Sequence, residues 1–273
     1  MSQDIYQHFR PSERVFIDKV TDWLEKVSDT YSIVVTDFLN PRQYFILQTM
    51  MNGYNKDGLQ VFTSASIVET EYVKLILAPS YYELNILDFD LACLQIDFAS
   101  KFVTLKHSQI LGTLLGETGL DRLKIGDISI HQSFAQVCVS KKMVSVFTES
   151  VSKIARSGVK ICEVPPNDFV RLPEQATNQV VMLSSLRIDK AIASIFNKSR
   201  SFAQGLIQSS KVKVNYTEIM QNDFELTTGD LISVRGLGRV KIGQNLGLTK
   251  KDKVRIEVQI ISSQKYHPSH YPR

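Results

Sequence analysis

Basic residues are concentrated between residues 187 and 240 of this 273-residue chain, at a spacing that would present them together. The stretch from Arg187 to Asn215 contains six lysines and arginines against one aspartate. Cations grouped in this way bind phosphate and other anions, because guanidinium and ammonium groups donate strong, charge-assisted hydrogen bonds. The sequence therefore points to an anion-binding site in this segment.

Two short helices are predicted to position the first of these cations. The first helix is indicated by apolar residues at helical spacing, namely Ile188, Ala191, Ile192, Ile195 and Phe196. Ser199 is a good N-cap for the second helix. Arg200 then falls in the first turn, where its guanidinium and the free backbone N–H groups can bind the same anion. For Arg200 taken alone, a solvated surface arginine is the alternative.

A strand and a basic hairpin loop follow the two helices. The run Lys211-Val-Lys-Val-Asn215 alternates, so a strand here buries both valines and aims both lysines at one face. Residues 231–234 predict another strand, and Arg235-Gly-Leu-Gly-Arg239 predicts a tight loop. Helices and strands with basic groups along one edge form a compact footprint for a sugar-phosphate backbone.

This arrangement resembles the S4 RNA-binding domain, which is shared by a ribosomal protein, several RNA-modifying enzymes and small ribosome-associated factors. The residues that carry the resemblance are Arg187-Ile-Asp-Lys190, Lys198-Ser-Arg-Ser201, Ala203, Leu206-Ile207, Lys211-Val-Lys-Val-Asn215 and Gly229-Asp230. Ser210 and Tyr216 depart from the pattern, because such domains commonly have glycine at both positions.

The resemblance implies a role for each residue of the site. Eight cations would contact phosphates or sugars: Arg187, Lys190, Lys198, Arg200, Lys211, Lys213, Arg235 and Arg239. Ser199, Ser201 and Asn215 would add hydrogen bonds. Asp189 would either hold the basic residues in position or accept a hydrogen bond from a ribose 2′-hydroxyl.

The net charge of +4 conceals a division between the two parts of the chain. Residues 1–183 carry 17 Lys and Arg against 21 Asp and Glu, whereas residues 184–273 carry 15 against 7. The binding end is therefore the C-terminal one. With no run of 18 apolar residues, no signal peptide and no long basic amphipathic helix, we expect a cytoplasmic protein that does not bind membranes.

The pattern along the chain predicts an α+β fold of several domains. Residues 1–68 predict a mostly helical domain, and residues 69–165 predict an α+β sandwich of ferredoxin-like or RRM-like kind. Within the latter, strands are predicted at 72–78 and 101–105 and a helix at 143–154. Residues 166–180 predict a linker, 181–263 the S4 domain with a C-terminal strand, and 264–273 a mobile tail.

The whole chain also resembles the YlmH family of bacterial S4 proteins. Beside the S4 segment and the Arg235 to Arg239 loop, the likeness rests on His107-Ser-Gln-Ile-Leu-Gly-Thr-Leu-Leu-Gly116 and Lys124-Ile-Gly-Asp-Ile128. The resemblance implies an N-terminal domain, a central RRM-like RNA-binding domain and a C-terminal S4 domain. It also implies partners, namely structured rRNA or tRNA and the large ribosomal subunit, in the quality control of stalled subunits. We expect a monomer.

No catalytic or metal-binding constellation is found, so we expect neither enzymatic activity nor a cofactor. Gly112 and Gly116, like Gly236 and Gly238, fit no phosphate loop, and close packing and tight turns would explain these four glycines. His107 has no spaced nucleophile or carboxylate partner, which favours a capping or buried histidine. Cys93, Cys138 and Cys162 suit reduced core thiols rather than a zinc site.

Two alternatives remain open at the level of the sequence. The chain could be an RNA-modifying enzyme that docks through its S4 domain, or a scaffold associated with cell division. Within the central domain, four aromatic side chains could stack RNA bases or lie in the core: Phe98, Phe102, Phe134 and Phe147.

Overall fold

The computed structural model describes residues 9–53, 58–101, 103–172 and 175–262. The chain forms two compact units, Met1–Leu172 and Pro173–Arg273. In the described ranges, helices combine with antiparallel sheets, which confirms the predicted α+β class. None of the helices in these ranges is long and apolar enough to cross a membrane. Phe102 and the predicted tail at 264–273 lie outside the described residues.

The first unit begins with two helices packed on a three-stranded sheet. Its elements are α1 (Arg14–Thr30), β1 (Val34–Val35), α2 (Pro41–Gly53), β2 (Leu59–Thr63) and β3 (Leu75–Pro79). The strand order is β1-β3-β2. Buried Val20 and Leu24 of α1 pack with Leu47 of α2 and Leu75 of β3, so the helices are held by their apolar faces.

The structure moves the strand β3 from the central domain to the first sheet. Leu77 pairs with both Val34 of β1 and Val61 of β2. The predicted domain boundary at residues 68 and 69 therefore cuts through the first sheet. Every residue of β3 is buried, and a short, fully apolar run shows that a strand is buried without showing which sheet contains it.

The rest of the first unit is a ferredoxin-like α+β domain, as predicted. It comprises β4 (Leu91–Phe98), α3 (His107–Thr118), β5 (Ile125–Ile130), β6 (Phe134–Ser140), α4 (Val144–Ser150), β7 (Lys153–Ile154) and β8 (Ser157–Val164). The order β5-β6-β4-β8-β7 is that of a β-α-β-β-α-β unit with one short added strand.

Two predicted elements of this domain are wrong. The described residues at 101–105 form turn and irregular chain rather than a strand, before Lys106 leads into α3. The helix predicted over 143–154 ends at Ser150, because Val151 adopts an extended conformation and Lys153–Ile154 pairs with β8. Apolar residues continue through this point, so the hydrophobic pattern conceals the end of the helix.

The second unit is a six-stranded sheet with two helices on one face. It comprises β9 (Gln175–Leu183), α5 (Ile188–Ile195), α6 (Arg200–Gln208), β10 (Val212–Val214), β11 (Thr217–Glu218), β12 (Leu231–Val234), β13 (Gly238–Leu248) and β14 (Val254–Ser262). The order is β11-β10-β12-β13-β14-β9. Ile192 and Ile207 of the helices share one core with Val212, Ile232 and Val240 of the strands.

The linker predicted over residues 166–180 overlaps an ordered strand. β9 begins at Gln175 and pairs with β14 along its whole length. Residues 176–180 are exposed, and several of them are polar. An edge strand of this kind gives no alternating apolar signal, so the sequence pattern predicted a linker instead.

Ser210 ends α6 in a conformation that glycine adopts more easily. Its φ is 55°, in the left-handed region. Ser210 N–H donates to the Ile207 carbonyl and Lys211 N–H to the Leu206 carbonyl, which together form a Schellman motif. A serine side chain at this position raises the energy of the backbone, whereas glycine fits without strain.

We expect Ser210→Gly to stabilise the second unit by about 0.5–1 kcal/mol, since relief of strain exceeds the added freedom of the unfolded chain. Slower hydrogen exchange of the α6 amides would measure the gain. Ser209→Gly is the matched control, because Ser209 has a negative φ of −93°. Equal effects of the two substitutions would contradict the explanation.

Candidate RNA-binding site

A buried carboxylate joins the two helices of the second unit. Asp189 in the first turn of α5 is fully buried. Its Oδ2 accepts hydrogen bonds from Arg200 Nε at 2.8 Å and Gln204 Nε2 at 3.1 Å, both from α6. Its Oδ1 accepts from Arg187 Nε at 3.4 Å and from the backbone N–H of Lys190 at 2.9 Å. Asp189 therefore fixes two arginines from consecutive elements of the chain.

The two guanidinium groups remain accessible. The Arg187 and Arg200 side chains are 34% and 52% exposed, while Asp189 has no exposed surface. Each arginine donates to Asp189 through its Nε, and its guanidinium carries further N–H donors that suit an anion. Of the two roles predicted for Asp189, the buried position fits the positioning role and excludes direct contact with a 2′-hydroxyl.

The electrostatics of Asp189 follow from its partners. Burial alone would raise the pKa of Asp189, but hydrogen bonds from Arg200 and Gln204 and the charges of Arg200 and Arg187 outweigh it. The pKa therefore lies below its usual range. Such a carboxylate stabilises the fold above its unfolded pKa of about 3.9, and this stabilisation disappears as the pH falls through the folded pKa.

We expect Asp189→Asn to speed hydrogen exchange of the α5 and α6 amides at pH 7, because the ion pairs are lost. The difference from the unaltered chain should begin to shrink below about pH 3.9, where Asp189 of the unfolded chain takes up a proton, and should disappear as the pH falls through the lower folded pKa. Hydrogen exchange at the backbone amides of Ala191 and Ala203, corrected for the intrinsic rate, measures this difference. A difference that persists unchanged to about pH 2 would show that the charge of Asp189 is not what stabilises the helices.

The remaining helical residues lie around the start of α6. Ser199 is its N-cap and accepts a hydrogen bond from the Phe202 N–H at 3.2 Å, as predicted. The Ser199 and Ser201 hydroxyls lie 3.1 Å apart and both residues are exposed. Lys198 is exposed just before the cap, whereas Lys190 in α5 is half-buried. We refer to Arg187, Lys190, Lys198, Ser199, Arg200 and Ser201 as the helix group.

A second group of cations lies on the sheet. Lys213 of β10 pairs with Ser233 of β12, which pairs with Arg239 of β13, so the three side chains form one row across adjacent strands. The Arg235 N–H donates to the Lys211 carbonyl at 2.8 Å, which brings the hairpin loop against the start of β10. We refer to Lys211, Lys213, Arg235 and Arg239 as the sheet group.

The two groups face different sides of the unit. Val212 and Val214, which flank Lys213, are fully buried under the helices. Because alternate residues of a strand point to opposite faces, Lys213 and Arg239 point away from α5 and α6. The expectation that all basic groups share one edge is therefore wrong. Lys241, two residues beyond Arg239 on β13, adds an exposed cation to the sheet face that the sequence prediction missed.

Asn215 has a structural role in the turn between β10 and β11. Its side-chain amide donates to Asp230 at 2.7 Å and its carbonyl oxygen accepts from the Leu231 N–H at 2.9 Å. Asn215 and Tyr216 both have positive φ, 48° and 68°, as a two-residue hairpin loop requires. The predicted hydrogen bond from Asn215 to RNA thus competes with bonds inside the fold.

The open face of an RRM sheet is covered in this chain. Gln136, buried in the middle of β6, donates to the Asp168 carbonyl and accepts from the Val170 N–H. Phe38 and Phe169 pack over Cys93 and Cys138 of the same face. The segment after β8 and the first domain therefore occupy the place where RNA bases would stack.

Three of the four aromatic side chains considered for stacking lie in the described residues, and each of them packs against other side chains. Phe147 is fully buried and Phe98 packs against the domain core. Phe134 is half-buried and stacks on the His131 ring with centroids 4.5 Å apart. Cys93 and Cys138 are buried as expected, with their sulfur atoms 3.4 Å apart across β4 and β6.

Two minor predictions in α3 are corrected. His107 is an exposed residue at the first position of the helix, so it is neither its cap nor buried. A Cβ atom at Gly112 or Gly116 would meet nothing within 4 Å, so close packing does not explain these glycines. The structure gives no physical reason for glycine at either position.

The fold and the comparisons with known proteins place the chain in a class of α+β proteins with an RNA-binding domain. Residues 12–82 match the family model described as "YlmH, N-terminal", and residues 85–168 match "Putative RNA-binding domain in YlmH". The chain belongs to the YlmH family. These matches also agree with the assignment of β3 to the first domain.

Two relatives extend the comparison. The chain is 34% identical over 253 residues to "Ribosome-associated protein quality control protein P2" of Bacillus subtilis (strain 168), covering 93% of this chain and 97% of that protein. It is also similar to the solved structure of "Cell division protein ylmH from Streptococcus pneumoniae", at 32% identity and a TM-score of 0.53. That match covers 61% of this chain and 99% of the other.

Proposed function

We propose that this chain is a non-catalytic protein that binds structured rRNA or tRNA on the large ribosomal subunit through an S4-type domain at residues 181–263. The observation that carries the proposal is the pair of accessible arginines held by buried Asp189 at the junction of α5 and α6. Preorganised guanidinium groups lose little freedom when they bind a phosphate, so they give affinity and fixed geometry together.

The charge distribution and the relatives support this proposal. Residues 184–273 carry a surplus of eight positive charges, which suits a polyanion. The Bacillus relative is named for ribosome-associated quality control, and on this basis we propose the same setting for the chain. The name of the Streptococcus structure makes a role in cell division the alternative.

RNA binding can be tested with purified tRNA and purified large ribosomal subunits as probes. Arg200→Ala and Lys211→Ala should each weaken binding about tenfold and reduce the slope of log K against log salt by roughly 0.7–0.9, since one phosphate contact is lost in each. Lys26→Ala, which removes an exposed lysine of the first unit, is the matched control. Unchanged affinity and slope in both variants would overturn the assignment.

A further inference from the structure

A loop of the first unit exposes large apolar side chains. Tyr81, Ile86 and Leu87 are 67%, 58% and 80% exposed, and Leu84 between them is also exposed. Single exposed apolar residues are common on protein surfaces, but a contiguous group of them marks a contact site. The group lies between β3 and β4, where the two family models meet.

The loop is held firmly in this position. Gln60 Nε2 donates to the carbonyls of Pro79 and Tyr82 at 2.9 and 2.8 Å. The Tyr82 hydroxyl donates to Asp88 at 2.7 Å, and Asn85 caps the short helical turn Ile86–Phe89 through a bond from the Leu87 N–H. The exposure of Ile86 and Leu87 is therefore a fixed feature of the fold.

The apolar surface continues onto the first domain. The Tyr81 hydroxyl donates to the Tyr31 carbonyl at 2.8 Å, and the Tyr31 side chain is 69% exposed. Val35, which is 36% exposed, lines a cleft together with Asp88. Lysines also line this cleft, and two of them are paired, Lys74 with Asp90 and Lys124 with Asp37. We call Tyr31, Val35, Tyr81, Ile86 and Leu87 the apolar patch.

The loop that carries most of the apolar patch is acidic. Residues 80–90 contain three carboxylates, Glu83, Asp88 and Asp90, and no lysine or arginine. Residues 1–183 as a whole have a net charge of −4. Acidic groups repel the phosphates of RNA and attract cations, so the surroundings favour a basic polypeptide.

We propose that the apolar patch docks a basic, amphipathic segment of a protein partner. Apolar side chains of that segment would pack on Ile86, Leu87 and the two tyrosine rings, and its lysines or arginines would meet Glu83 and Asp88. This surface is made by residues of the first unit and the proposed RNA site by residues of the second, so a substitution in one leaves the residues of the other unchanged.

The experiment uses the full chain and two labelled helical peptides with identical leucine positions, one with lysines and one with glutamates on the polar face. Fluorescence anisotropy should show the lysine peptide binding at least tenfold more tightly than the glutamate peptide. Leu87→Ser should weaken the lysine peptide about tenfold, and Glu83→Gln about threefold. Val15→Ser is the control, because Val15 is 82% exposed on α1.

Equal binding of the two peptides, or equal effects of Leu87→Ser and Val15→Ser, would overturn the proposal. Binding of labelled tRNA is measured on the same variants. Leu87→Ser should leave it unchanged, and a loss of tRNA binding would instead assign the patch to RNA and overturn the protein partner. Failure of the RNA proposal would appear only in the tRNA measurement, so the two failures are distinguishable.

Discussion

Replacing Arg187 and Arg200 together with glutamine is expected to weaken binding to tRNA and large subunits about 100-fold. Each guanidinium supplies charge-assisted hydrogen bonds that contribute on the order of 1.5 kcal/mol, and two such losses correspond to about 3 kcal/mol. Glutamine can still donate a hydrogen bond to buried Asp189, but that carboxylate then has no cation, which also destabilises the helix junction. Adding Asp189→Asn removes the unpaired charge, so an equal loss of affinity with and without it shows that the loss comes from the two guanidinium groups.

The sheet face supplies the matched comparison. Lys213 and Lys241 are exposed on that face. Among the residues that the structure describes, neither lysine is paired with buried Asp189, which holds Arg187 and Arg200 instead. Lys213→Gln combined with Lys241→Gln removes the same number of charges, but flexible lysines lose more freedom on binding. We expect a loss of only about fivefold. A larger loss from the sheet pair than from the arginine pair would show that the RNA lies on the sheet face.

The local elements of the second unit could be predicted because their signals are local. Ser199 marks the start of α6, and alternating Lys211, Val212 and Lys213 predict a strand with a buried and a solvated face. The same alternation also implied that Lys213 points away from the core. The helices α5 and α6 pack on the side of the sheet where Val212 is buried, so the Lys213 side chain lies on the other side from them. The sequence pattern does not show on which side the helices pack.

Features that depend on distant residues could not be predicted. The burial of Asp189 depends on Arg200 and Gln204 in the next helix, which the charge pattern alone does not pair with it. The cover over the central sheet depends on Gln136 binding Asp168 and Val170 more than thirty residues later. These contacts use ordinary polar residues, and their sequence context carries no periodic signal.

The side chain of Lys74 links the two domains of the first unit. Lys74 is a fully buried lysine directly before β3, and its Nζ donates to the Asp90 carboxylate at 2.9 Å, the Asp90 carbonyl at 2.9 Å and the Ser140 hydroxyl at 3.2 Å. These bonds join the first sheet to β6 of the central domain. Burial lowers the pKa of Lys74, although the Asp90 charge opposes the shift, so the ammonium group is less favourable in the fold than in water.

Lys74→Ala is expected to destabilise the first unit by about 3 kcal/mol, because it opens a cavity and leaves the Asp90 carboxylate without its cation. Lys74→Met leaves Asp90 equally without its cation but fills the cavity, so its loss should be smaller than that of alanine by about 1–2 kcal/mol. Trp23 is the one tryptophan of the chain and packs in the first unit, so urea unfolding followed by its fluorescence measures both changes there. Lys26→Ala should leave the transition in place. If methionine proved as harmful as alanine, the ammonium bonds to Asp90 and Ser140, rather than the space that Lys74 fills, would be what holds the two domains of the unit together.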